Sequence, residues 1–145
     1  MRGPGIVASS LVACAIALGC RKPTLDDPKI GARSGKGAEL SVASKVASAP
    51  MLGCEVRYEN LPARSQIKVE WRWRQNDTSQ NEWKTSKRET VEGTGNGTLH
   101  ATLENPDGPL VDDGVWQCAF HLFAGDQAKN VDVSAQISVG ADEQK

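Results

Sequence analysis

Cysteine and histidine are the residues of this chain best suited to chemistry. The sequence contains Cys14, Cys20, Cys54 and Cys118, together with His100 and His121. Thiolates bind metals, attack electrophiles or pair as disulfides, and imidazoles bind metals or transfer protons. The alternation of the neighbouring residues places both histidines on outward faces of strands in different sheets, so a shared metal site is not expected. What the cysteines do depends on where in the chain each one lies.

Cys14 lies inside an apolar run, residues 5–19, that follows the basic residue Arg2. The run is about fifteen residues long, whereas a helix that crosses a bilayer needs about twenty. This length is typical of the apolar part of a signal peptide. Removal of such a leader would take Cys14 with it and leave three cysteines. An odd number of thiols in an exported protein needs an explanation.

The stretch "ALGC", residues 17–20, resembles the lipobox of bacterial lipoproteins, in which small residues precede a lipidated cysteine. The resemblance implies a signal peptide at residues 1–19 and a thioether-linked diacylglycerol on Cys20, which becomes the mature N-terminus. It also implies an extracytoplasmic protein attached to the cell membrane, or to the outer membrane in a Gram-negative cell because Arg21 rather than Asp follows. Ala17 departs from the usual leucine of the motif. An ordinary secretory signal and an uncleaved anchor are the alternatives.

The residues after Cys20 are rich in Gly, Pro, Lys and Asp and lack hydrophobic periodicity. This composition predicts a flexible tether over residues 20–37, which would hold a domain a few nanometres from the membrane. The folded domain is then predicted at residues 38–142, followed by a short tail at residues 143–145. A first strand is expected near residues 39–46.

The remainder of the chain alternates apolar and polar residues with a period of two. In "IKVEWRWRQ", Ile67 and Val69 share one face with two tryptophans, and charged residues occupy the other face. Stretches such as "NLPARSQ" and "EGTGNG" separate the alternating segments and are predicted as turns. One buried face per strand is typical of antiparallel sheets packed as a sandwich. The sequence therefore predicts an all-β fold of seven or eight strands.

The stretch "DDGVWQC" contains residues expected to form the centre of the core and the turn that leads into it. Trp116 and Cys118 are two residues apart, so both side chains of a strand would point into the core. Gly114 would allow a tight turn into that strand, and Asp112 would hold the preceding loop. Lipidation of Cys20 leaves Cys54 and Cys118 as one pair, both on inward faces. A disulfide between the two sheets, packed against a tryptophan, satisfies these positions together.

The pattern Asp-x-Gly-x-aromatic-x-Cys, with an earlier Cys and then a Trp, resembles the immunoglobulin domain. The resemblance covers about residues 38–142. It implies an immunoglobulin-like sandwich with Cys54 and Cys118 on facing sheets and Trp71 as the core tryptophan. The aromatic residue of this corner is usually a tyrosine, and Trp116 replaces it here. A fibronectin-type sandwich or another disulfide-bridged bacterial sandwich fits the same features.

Several functional classes are not supported by the residues. The net charge is −1 and no basic stripe is present, which argues against nucleic acid as a partner. No serine has a convincing base and acid nearby, and "EGTGNG" lacks the Lys-Ser/Thr of a phosphate loop. A calcium site at the aspartates near residue 112 is less expected than a corner-stabilising role. We therefore predict neither an enzyme, nor a cofactor, nor a metal site.

The outward residues of the strand after the first disulfide cysteine form the candidate binding face. They are Lys68, Glu70, Arg72 and Arg74, with His121 on the neighbouring strand. In immunoglobulin-like proteins this sheet face often binds partners, although a solvated charged face gives the same pattern. Exposure of Trp83 and Phe123 would strengthen the binding interpretation.

The sequence thus predicts a lipid-anchored, non-catalytic binding module at the cell envelope. Its partners would be the membrane, through the lipid, and an envelope protein or glycan. A structural or assembly accessory of an envelope complex, or a periplasmic inhibitor, is the alternative.

Overall fold

The computed structural model describes residues 22–75, 82–124 and 127–140, except for the side chains of residues 124 and 127–130. All regular structure in these residues is β-strand, which confirms the predicted all-β fold. The seven strands are β1 (Thr24–Arg33), β2 (Ser41–Val42), β3 (Lys45–Val46), β4 (Met51–Arg74), β5 (Lys84–Glu104), β6 (Gly114–Ala124) and β7 (Gln127–Val139).

Strands β4 and β5 run through both layers of the sandwich. Residues 51–59 of β4 pair with β1, whereas residues 66–74 pair with β6. Strand β5 pairs with β4 along both parts. The second layer continues from β6 to β7, and β3 pairs with β7 in the parallel direction. The predicted sandwich is confirmed, with this one parallel pair in an otherwise antiparallel arrangement.

The two segments predicted as turns, "NLPARSQ" and "EGTGNG", are instead bends inside continuous strands. The pairing of β4 with β5 shifts register between Tyr58 and Ser65. Asn60 and Arg64 have positive φ angles of 61° and 65°, and Gly95 on the opposite strand has a φ of 72°. These residues turn both strands from one layer into the other. Their composition does favour a change in chain direction, but β4 and β5 stay paired both before and after the bend.

The prediction of a flexible tether over residues 20–37 is wrong for residues 24–33, which form β1 and pair with β4. Leu25 and Ile30 of β1 are buried in the core. They are five residues apart, an odd spacing that hides the period of two. A bulge between Asp26 and Lys29, with Asp27 at a φ of 55°, brings both onto one face. The folded domain therefore begins near residue 24 rather than residue 38.

The disulfide Cys54–Cys118 joins the two layers at the centre of the core, as predicted. Cys54 pairs in register with Ile30 and Ala101 in the first layer, and Cys118 pairs with Trp71 in the second. Both cysteines are fully buried. The largest buried side chains around them are Trp71, Phe120, Leu52, Ile67 and Leu122. Paired residues of neighbouring strands share a face, so Trp71 lies beside the bridge.

Candidate functional site

The outer face of the second layer carries the residues predicted as a binding face. We define this outer face by its polar and aromatic members on four strands. They are Lys68, Glu70, Arg72 and Arg74 on β4; Gln117, His121 and Phe123 on β6; Thr85 and Arg88 on β5; and Asp132, Ser134 and Gln136 on β7. All the residues named in the prediction lie on this one face, since residues two apart on a strand point to the same side.

Glu70 is the centre of the outer face and is only 8% exposed. Its carboxylate accepts a hydrogen bond of 2.9 Å from Arg72 Nη2 and one of 2.6 Å from Thr85 Oγ1. Arg88 Nε lies 3.6 Å from the same carboxylate. The bond from Arg72 is the main cause that lowers the pKa of Glu70 from 4.5 to about 2, against the opposing effect of burial. Glu70 is thus a fixed negative charge that ties β4 to β5.

His121 lies between two carboxylates. Its Nδ1 is 2.9 Å from Asp132 Oδ1, and its Nε2 is 3.6 Å from Glu70 Oε1. The side chain therefore connects β4, β6 and β7 across the outer face. Because each ring nitrogen faces a carboxylate, His121 is part of the polar network on the sheet surface.

Arg72 makes hydrogen bonds to two neighbouring side chains. Besides Glu70, its Nη1 donates a hydrogen bond of 3.2 Å to Gln117 Oε1. Gln117 Nε2 donates in turn to Ser134 Oγ at 3.5 Å. Reversal of charge at Arg72 would place a second carboxylate beside Glu70. Such a variant would disturb the sheet as well as any binding. A test of binding must use other cations.

Three cations associated with this layer lie over aromatic rings. The Lys68 ammonium is 5.5 Å from the Phe123 ring centre, and the Arg74 guanidinium is 4.5 Å from that of Trp83. At the same end as Arg74, the Lys84 ammonium lies 6.0 Å from the Trp73 ring centre. Such pairs contribute roughly 0.5–1 kcal/mol at exposed sites. Trp83 and Phe123 are half-buried rather than exposed, and each has a cation over its ring.

A small cavity of about 80 Å³, open to solvent, lies at the end of the outer face near Arg74. Its lining residues are Trp73, Arg74, Gln75, Glu82 and Lys84. The sequence predicted Arg74 as a site residue but not Lys84, which the pairing of β4 with β5 brings to this end, nor Glu82, which lies just before β5 and lines the same cavity. No local pattern indicates that contact, since it depends on the register of two strands.

The loop before β6 is held by two indoles. Trp116 Nε1 donates to the carbonyl oxygen of Asp112 at 2.9 Å, and Trp73 Nε1 donates to that of Asp113 at 3.0 Å. The Asp112 carboxylate accepts from Asn105 Nδ2 at 3.4 Å. Trp116 thus makes a bond to the backbone upstream of its strand, the kind of bond that a tyrosine hydroxyl makes in an immunoglobulin corner.

Gly114 has a φ of 144°, and a Cβ there would contact the Trp73 indole nitrogen and lie 2.7 Å from the Arg74 carbonyl oxygen. We expect Gly114→Ala to lower the free energy of unfolding by about 2 kcal/mol, from backbone strain and displacement of Trp73. A urea titration followed by tryptophan fluorescence measures this. Gly35→Ala is the matched control, since nothing lies within 4 Å of its added methyl group. Equal midpoints for the two variants would contradict the expectation.

Two other site types are not found in the part of the chain that the structure describes. No group of three or more histidine, cysteine or acidic residues is placed to hold a metal ion. No described helix is long and apolar enough to cross a membrane. Cys20 and the predicted signal peptide at residues 1–19 lie outside the described residues, as does the predicted tail at residues 143–145.

Comparisons with known proteins give one weak structural likeness to report. No family of known proteins matches it, and no curated protein matches it. Among solved structures, a β-D-glucoside glucohydrolase from Trichoderma reesei aligns with 81% of this chain at 8% sequence identity and a TM-score of 0.39. The aligned part makes up 19% of that enzyme's chain. A likeness this weak carries no argument about function.

Proposed function

We propose that this chain is a lipid-anchored extracytoplasmic lipoprotein whose immunoglobulin-like sandwich is a non-catalytic binding module at the cell envelope. The observation that carries the binding role is the outer face. It combines a polar network around Glu70 with two cations, Lys68 and Arg74, arranged over aromatic rings, and Lys84 lies over a third ring at the end near Arg74. Ordered arginine and aromatic side chains on a flat sheet are typical of protein interaction surfaces.

Cysteine usage supports export and the lipid anchor. The pair Cys54–Cys118 forms a disulfide, which persists in an oxidising compartment outside the cytoplasm. That pairing leaves Cys20 as the one cysteine beyond the apolar run that has no partner in the disulfide. Lipidation of its sulfur accounts for it.

The position of β1 supports an anchor close to one end of the domain. The Lys22 carbonyl oxygen accepts a hydrogen bond of 3.3 Å from Asn60 Nδ2, at the bend of β4. Cys20 is two residues earlier in the sequence, and two residues of extended chain span at most about 7 Å. The bend would therefore face the membrane, and the domain would lie against it rather than nanometres away. Arg74 would be about 30 Å from the bend, at the opposite end.

The test combines the mature mass with site-specific crosslinking in the native envelope. We expect the purified mature chain to begin at Cys20 and to carry the mass of attached acyl groups. A photo-reactive amino acid at Gln136, exposed on the outer face, should crosslink to one discrete envelope component. The same amino acid at Thr98, exposed on the first layer, is the matched control and should give no such product.

The outcomes separate the parts of the proposal. An unacylated chain would remove the membrane anchor and leave a secreted domain. Equal crosslinking from Gln136 and Thr98, or none from either, would overturn the binding role of the outer face. A product in fixed stoichiometry with a multi-subunit envelope complex would favour the assembly-accessory alternative.

A further inference from the structure

The outer face carries an excess of positive charge, although the whole chain has a net charge of −1. Its described charged side chains, leaving His121 aside, are the cations Lys68, Arg72, Arg74 and Arg88 and the carboxylates Glu70, Glu92 and Asp132, which leaves an excess of one positive charge. Arg72 and Arg88 are directed at Glu70, and Asp132 is directed at His121. Lys68, Arg74 and the exposed Glu92 remain, and at the cavity near Arg74 the cation Lys84 is accompanied by the carboxylate of Glu82.

In the part of the chain that the structure describes, these three cations are positioned by aromatic rings rather than by carboxylates. Among the described residues, no carboxylate oxygen lies within 4.0 Å of Lys68, Arg74 or Lys84. Each side chain is instead positioned over an aromatic ring. A guanidinium stacked on an indole keeps its N–H groups in the plane, where they can donate to a carboxylate in a bidentate manner. Fixing the side chains beforehand lowers the entropy cost of binding.

The spacing of the cations indicates a polymer rather than a single small anion. Lys68 and Arg74 are six residues apart on β4, which corresponds to about 20 Å along an extended strand. Lys84 and Arg74 line the same cavity at the far end of this row. A ligand that engages all three cations must carry carboxylates over about that length.

The aromatic rings favour a polypeptide over a glycan. Sugars bind by stacking their apolar faces on open aromatic rings, but here Phe123, Trp83 and Trp73 are each covered by a cation. A lipid headgroup is disfavoured because the Arg74 end lies opposite the proposed membrane anchor. We propose that the outer face binds an acidic polypeptide segment, with Arg74 and Lys84 as its main carboxylate-binding residues. This inference rests on the proposed binding role of the outer face.

The experiment measures binding of an acidic peptide to the full chain in detergent. The probe is an extended peptide of about eight residues that alternates Glu and Ser, and the control probe alternates Gln and Ser. Tryptophan fluorescence reports binding directly, since Trp83 and Trp73 contact the cations involved. We expect saturable binding of the Glu peptide only, weakened by added salt.

The variants locate the site. We expect the double variant Arg74→Glu with Lys84→Glu to weaken binding at least tenfold. The matched control, Lys36→Glu with Arg64→Glu, makes the same change of net charge at exposed residues that are not on the outer face, and binding should persist. Thermal melting of both variants checks that they remain folded.

Three results would overturn the inference: equal binding of the Gln peptide, equal loss in the two double variants, or tighter binding of an acidic oligosaccharide such as oligogalacturonate than of the Glu peptide. These failures are distinguishable from a failure of the proposed function. If the Gln136 crosslink persists in the Arg74→Glu, Lys84→Glu variant, the binding module stands and only the acidic partner is wrong. If no crosslink forms from the outer face of the unmodified domain, the proposed function itself fails.

Discussion

Replacement of both bridge cysteines, Cys54→Ala with Cys118→Ala, should lower the free energy of unfolding by about 4 kcal/mol. The two cysteines are separated by 64 positions in the sequence, and a cross-link over a loop of that length removes this much conformational freedom from the unfolded chain. Loss of the buried sulfurs beside Trp71 adds a packing cost. For a domain of this size the melting temperature should fall by roughly 10–20 °C, measured by circular dichroism.

Reduction and a third cysteine provide the controls for this prediction. Dithiothreitol should lower the melting temperature of the unmodified protein by a similar amount and leave the double variant unchanged. Cys20→Ala, which leaves the bridge intact, should melt like the unmodified domain while losing its proposed lipid. A double variant that melts within about 2 °C of the original would show that the bridge adds little, against the loop-length argument.

The core of this fold was predictable because its strands alternate cleanly. Residues 67–73 and 116–122 follow a period of two without interruption, so the inward faces of β4 and β6 were identified from sequence. The burial of Trp71 and Cys118 in the core follows from the same pattern. Where a strand has no bulge, its alternating sequence pattern identifies which side chains are buried.

β-Bulges account for the parts of the fold that the sequence pattern did not predict, namely β1 and the shared face of Thr85 and Arg88. In β1 the bulge between Asp26 and Lys29 changes which residues share a face, so the sequence of this segment lacks a period of two and predicts a tether. A second shift lies between β4 and β5. Trp71 pairs with Lys87 but the next residue, Arg72, pairs with Thr85, so one residue of β5 is skipped. A strict period of two would place Thr85 and Arg88 on opposite faces. Because of the shift, both reach Glu70, and sequence alone could not show it.

The environment of Glu70 was missed for a related reason. The alternation correctly placed it on the outward side, and an outward glutamate is normally solvated. Its burial comes from partners on two other strands, Thr85 on β5 and His121 on β6, which cover it. Such a cluster depends on the positions of three strands at once. The candidate binding face was therefore predictable as a set of residues but not as a network.

The pH dependence of stability should report this network. The folded-state pKa of Glu70 is lowered from 4.5 to about 2, chiefly by the hydrogen bond from Arg72. A lowered pKa means that the charged form is favoured by folding, so its stabilisation is complete above pH 4.5. The stabilisation is then lost as the pH falls from about 4.5 towards 2, where the folded protein takes up the proton.

We expect Glu70→Gln to lower the free energy of unfolding by about 2 kcal/mol at pH 7. One pKa unit corresponds to about 1.4 kcal/mol, and solvent near this sheet surface reduces the full value. Glutamine keeps the shape of the side chain and an acceptor for Thr85, but it leaves Arg72 and Arg88 without their charged partner. Urea titrations at a series of pH values from 7 to 2.5 measure the difference between the variant and the original protein.

The decisive feature is the convergence of the two stability curves. Below pH 4.5 the original protein should lose its advantage, because a protonated Glu70 resembles glutamine, and the gap should become small near pH 2.5. Glu92→Gln, at an exposed position of β5, is the matched control and should differ from the original by less than about 0.5 kcal/mol. A gap for Glu70→Gln that stays constant from pH 7 to 2.5 would mean that glutamine disturbs the packing. The charge of Glu70 would then not be what holds β4 to β5 and β6, and the rigid network assigned to the outer face would need another origin.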